Sequence, residues 1–234
     1  MTITRKPNPR PAAANTHIYL LLDRSGSMES IRPDVIGGYN AFIEAQRTDG
    51  HDARVTLVQF DTADSQEVVL DRARIDRVPL LTEATFVPRG GTPLFDATGL
   101  LIARAAKRAT QRARAGKAAE DIMIVTITDG EENSSREFTG DAIKALVQAR
   151  EADGWTFVYL SAAIDAYANA TAIGYDARSV QAFAPTGAGA AAAFSSLSEA
   201  TVRRRGRVRA AAPYVAADFF EGQKPAEATR PPTR

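Results

Sequence analysis

The stretch "LLLDRSGSMES", residues 20–30, ends an apolar run at Asp23 and then presents Ser25 and Ser27 at every second position. Alternate residues of an extended segment point the same way, so one carboxylate and two hydroxyls can converge, and Gly26 permits a tight turn between the serines. Two further stretches carry related chemistry: Thr92 in "RGGTPL" and Asp129 in "ITDGEENSS". All five side chains offer oxygen, and no nitrogen or sulfur ligand joins them. That donor set points away from zinc and towards Mg²⁺, Mn²⁺ or Ca²⁺.

For the five to meet, each must stand at the end of a buried strand. "HIYLLLD" (17–23), "ARVTLVQF" (53–60), "DIMIVTIT" (121–128), "TFVYL" (156–160) and "SVQAF" (179–183) read as strands, several of them continuous apolar runs of the kind covered on both faces. "QEVVLDRARI" (66–75) alternates more and follows its predecessor closely, as a hairpin partner at a sheet edge would. Helical spacing occupies roughly 30–46, 94–113, 138–152, 165–173 and 187–204. The alternation predicts a mostly parallel α/β sheet with helices on both faces, whose ligand crevice lies outside the carboxyl ends of the strands.

Pro-rich, weakly patterned ends suggest a disordered arm at 1–15, one domain over 16–204, and a basic then Pro-rich tail at 205–234 contributing little to the core. Charge is balanced, 29 Lys+Arg against 28 Asp+Glu, so no global field draws the chain to nucleic acid or membrane. The absence of cysteine, of an apolar leader and of any run long enough to span a bilayer makes a cytoplasmic protein the expectation. Two basic stretches, the Arg104, Arg108 and Arg112 stripe and "RRRGRVR" at 203–209, lack interleaved aromatics and read as a solvated helix face and a basic arm. His17 and His51 precede strands, so both fall at the end opposite the oxygen cluster. His17 is about 20 Å from Asp23 along an extended strand, too far to act as its base.

D-x-S-x-S at 23–27, the threonine after a glycine pair at 90–92, and "TDG" at 128–130 resemble the metal-ion-dependent adhesion site of von Willebrand factor type A (VWA) domains, over roughly residues 16–204. The resemblance implies a Rossmann-like, doubly wound six-stranded sheet in the order 3-2-1-4-5-6 with strand 3 antiparallel. It implies Mg²⁺ (or Mn²⁺) bound directly by Ser25 and Ser27, directly or through water by Thr92, and mainly through water by Asp23 and Asp129, with an Asp or Glu of a partner protein completing the coordination. Without disulfides the chain is nearer the intracellular bacterial members, some of which work with AAA+ ATPases. Asp61, Glu131, Glu132 and Asp165 are candidate partner contacts on the same face. The reading is a binding module and no enzyme. Its rival, a Mg²⁺-dependent phosphohydrolase, needs a second Asp where the chain has Ser25.

Overall fold

The computed structural model describes residues 15–212 and 218–229. Strands β1 (Thr16–Asp23), β2 (Ala53–Phe60), β3 (Glu67–Arg74), β4 (Asp121–Thr128), β5 (Thr156–Ser161) and β6 (Val180–Ala182) form one sheet in the order β3-β2-β1-β4-β5-β6. Every neighbouring pair is parallel except β2 and β3. This is the expected order, with the expected antiparallel edge.

Continuous apolar runs arise because the strands are covered twice. Ile18, Leu20 and Leu22 of β1 enter one core with α1 (Arg32–Asp49) and α5 (Gly187–Arg209), built around Phe42, Phe183 and Phe194. Tyr19 and Leu21, at the alternate positions, enter a second core with α2 (Leu94–Arg114), α3 (Gly140–Ala152) and α4 (Ala166–Ala172). Asp23 follows Tyr19 and Leu21 at the next odd position, so period two directs it to the α2 face at the strand's carboxyl end. Burying one leucine in either layer contributes roughly 1.5–3 kcal/mol.

The C-terminal region departs from the expectation of a solvated tail. Helix α5 continues to Arg209, five residues past its expected end. Arg204 and Arg205 are buried: Arg204 pairs with Asp121, while Arg205 donates to the Gln46 carbonyl at 2.7 Å and pairs with Asp52. The basic run is therefore partly an internal clamp, since a buried guanidinium persists only when paired. Phe219, Phe220 and Ala226 also join the α1/α5 core, and Lys224 Nζ donates to the Ala177 carbonyl at 2.8 Å. The arm expected at 1–15 lies outside the described residues except for Asn15.

Candidate metal centre

Three loops meet at the carboxyl ends of β1 and β4. Asp23 is fully buried; its Oδ1 accepts the Ser25 amide at 2.7 Å and its Oδ2 the Thr128 hydroxyl at 2.5 Å. Ser25 Oγ lies 3.2 Å from Ser27 Oγ, and Ser27 Oγ donates to Asp129 Oδ1 at 2.8 Å. The fifth residue, Thr92, is 2% exposed. A Cβ placed on Gly130 would stand 3.4 Å from Thr92 Oγ1 and 3.8 Å from Ser27 Oγ, so these hydroxyls border one small cradle beside Asp129.

Electrostatics sharpens the picture. Burial pushes the Asp23 carboxyl up to about 6, with Asp129's charge adding to the rise and the hydrogen bonds from Thr128 and Ser25 opposing it. Burial likewise raises Asp129, against the Ser27 hydrogen bond. Hydroxyls and a backbone amide supply the bonds these carboxylates accept, and among the described residues neither is in an ion pair with Lys or Arg. Two desolvated acids without a counter-charge, surrounded by hydroxyl oxygens, suit a hard divalent cation. Among the described residues no three His, Cys, Asp or Glu side chains cluster as a metal site, so any cation here must rely on the hydroxyls.

The supporting residues were not singled out from sequence. Arg24, 5% exposed, turns away from Asp23 and donates to Asp61 Oδ2 at 2.9 Å, Gln59 Oε1 at 3.2 Å and Glu67 Oε2 at 2.5 Å. Its carbonyl accepts the Arg89 amide at 2.8 Å, while the Gly90 carbonyl accepts the Gly26 amide at 3.0 Å, tying the Thr92 loop to the serine loop. Gly90 has φ +66°, and a Cβ there would come 2.3 Å from Thr62 Oγ1, so this close approach needs glycine. Asn133 grips Thr92 at both ends of its peptide: Oδ1 accepts the Thr92 amide at 2.9 Å and the Asn133 amide donates to the Thr92 carbonyl at 3.2 Å. These cross-loop pairs leave no local pattern in the chain.

The four candidate partner contacts separate. Asp61 is fully buried and accepts from both Arg24 and Arg89; burial alone would raise it, but Arg89, the Ala63 and Asp64 amides and Arg24's charge hold it below the usual range. It positions the loops and offers no surface. Glu132 accepts the amides of Phe95 at 2.9 Å, Ser134 at 2.8 Å and Ser135 at 2.7 Å, capping α2 across the loops. Glu131 and Asp165 are exposed on the crevice side, Asp165 just before α4 and beside Ile164, which is 77% exposed. Farther away, Arg108 and Arg112 pair with Glu120, while the more exposed Arg104 lies 3.9 Å from Asp71.

Residues 17–195 match the model for the von Willebrand factor type A domain, and the chain belongs to that family, whose members are typically non-catalytic adhesion or protein-interaction modules. No curated protein matches the chain significantly by sequence. Among solved structures it is similar to the pilus adhesin SpaC from Lactobacillus rhamnosus GG (15% identity, TM-score 0.61, 86% of this chain and 32% of that one). It is similar also to proximal thread matrix protein 1 from the mussel byssus (15%, TM-score 0.52, covering 83% and 47%) and to a von Willebrand factor type A protein from Catenulispora acidiphila (18%, TM-score 0.51, covering 81% and 43%). The chain spans a third to a half of the length of these relatives, and at such identities the likeness is one of fold. No helix among the described residues is long and apolar enough to cross a membrane.

Proposed function

We propose that the chain is a metal-dependent protein-interaction module in which Asp23, Ser25, Ser27, Thr92 and Asp129 hold one Mg²⁺ or Mn²⁺ and present it to an Asp or Glu of a partner protein. The observation that carries this reading is the convergence of three loops on one buried and one half-buried carboxylate lined by hydroxyls, with Ser27 bonded to Asp129 across 102 positions of sequence. A divalent cation bound there would supply a Lewis-acidic position open to a carboxylate oxygen. Ser25 and Ser27 are neutral donors to it, so they leave the ion more charge than carboxylates would. Asp23, fixed by Thr128 and the Ser25 amide, sets the charge beneath them. Exposed Glu131 and Asp165 border the face, where they would bias the choice of partner. An AAA+ ATPase assembly in the cytoplasm is the class of partner that the resemblance brings forward first. Nothing in the site favours a phosphohydrolase: Ser25 stands where a second acid would be needed, and His17 is at the far end of β1.

Capture from the native host tests this function with Thr92→Ala. Thr92 comes from a different loop than Asp23, Ser25 and Ser27, so water can replace its hydroxyl while those residues keep the ion, but the open position is no longer shaped for a partner. Wild type in Mg²⁺ should retain partners that chelator releases, and Thr92→Ala in saturating metal should retain at most a tenth as much. The same partners eluting in all three conditions would show that binding uses another surface.

A further inference from the structure

Tyr19, on the same side of β1 as Asp23 but four residues back and about 13 Å away along the strand, forms the floor of a separate groove of about 440 Å³ between α2 and the edge strand β3. Its ring stacks on His17 at 4.0 Å, and its hydroxyl is enclosed without a hydrogen-bond partner. The side-chain amide of Gln66, also lining the groove, is enclosed and unpartnered at both of its atoms. Buried polar groups are almost always satisfied, so two unpartnered donors on residues that line one groove ask for an acceptor. Burial and the charge of Glu120 push the phenol up, which keeps it a donor.

The rim is cationic. Arg104 and Lys107 stand three residues apart on α2, and Arg72 faces them from β3. Asp71, the one acid lining the groove, pairs with Arg72 at 2.7 Å and lies 3.9 Å from Arg104, leaving three cations against one carboxylate. Arg72 is held with φ +58° where the β2–β3 register shifts, a left-handed backbone that residues other than glycine rarely adopt, with its amide on Thr56 Oγ1 at 3.1 Å. Arg72 at this bulge lines the groove. The positive strip is short, because Arg108 and Arg112 are neutralised by Glu120, and among the described residues no aromatic face is exposed beside it for base stacking.

We propose that this groove binds a phosphate-bearing small molecule of nucleotide size, its phosphate oxygens on Arg72, Arg104 and Lys107 and its neutral acceptors on Tyr19 Oη and the Gln66 amide. Guanidinium forks match phosphate oxygens, and the groove lies in the size range of small-molecule sites. The site is independent of the metal centre. Its test is therefore run in chelator: calorimetric titration of the full chain at low salt with tripolyphosphate and with a nucleoside triphosphate. The expected result is saturable one-to-one binding of at least one probe, weakened tenfold or more in the double variant Arg104→Ser/Lys107→Ser and several-fold in Tyr19→Phe, with melting showing that both variants are folded. Absence of saturable binding to either probe at millimolar concentration overturns the proposal, as does equal affinity in the double variant or tight binding of an oligonucleotide alone.

Discussion

Saturating Mn²⁺ should raise the melting temperature of the wild-type protein by about 5–10 °C, and should leave that of Asp23→Ala where it was. A ligand at a hundred times its dissociation constant stabilises a native state by about 2.7 kcal/mol, and each kcal/mol moves the midpoint of a chain this size by roughly 2–4 °C. Asp23 is the critical substitution because it lies fully buried beneath the serines. Without metal the variant changes in two opposing ways. It loses a carboxylate whose charged form burial disfavours, but it strands the Ser25 amide and leaves the Thr128 hydroxyl only the longer contact to the Gly130 carbonyl at 3.3 Å. The baseline midpoint therefore carries no information about metal, and the metal-induced increment is the readout. An equal increment in both proteins would place the cation elsewhere.

Asp96→Ala should cost about 3 kcal/mol and lower the melting temperature by roughly 6–12 °C, although Asp96 is no member of the oxygen cluster. From the first turn of α2, this 6% exposed carboxylate accepts the amides of Arg136 at 2.7 Å, Glu137 at 2.9 Å and Phe138 at 2.8 Å. Charge-assisted bonds of this kind contribute roughly 1.5–3 kcal/mol each, discounted here because Arg136 and Glu137 are exposed and water can replace part of the loss. With Glu132 bonded back to Phe95, the pair locks the loop after β4 onto the start of α2, and so holds Asp129 opposite Thr92. Denaturant unfolding measures the cost. A loss below 1 kcal/mol would mean that the loop is held by other contacts.

The layout of the fold was legible because it is written in local periodicity. Uninterrupted runs such as 17–23 and 121–128 gave buried strands, and the alternating segment at 66–75 gave the antiparallel edge. Asp23 and Asp129 were legible as acids at the ends of β1 and β4; Thr92 was expected at a strand end too, but it lies just before α2, 18 residues past the antiparallel β3, and a long loop brings it back to the site. What stayed hidden depends on contacts between distant residues. Glu132 looks like a free acid in "DGEENSS" until its partner Phe95, 37 positions away, is seen; Asp61 looks like a crevice acid until Arg24 and Arg89 are found around it. The arginines at 204 and 205 misled for the same reason. Their partners, Asp121 and Asp52, lie 83 and 153 positions away, so two members of a run that reads as solvated charge are in fact internal.

The most direct measurement is a titration of Mn²⁺ into the wild-type protein followed by the relaxation rate of water protons, which rises when the ion is immobilised on the protein with water still exchanging at it. The account predicts one saturable site per chain, a relaxation enhancement that falls when a glutamate-bearing peptide takes the place of exchanging water, and no such site in Asp23→Ala. Failure of the wild type to bind Mn²⁺, or binding that survives Asp23→Ala unchanged, would contradict it.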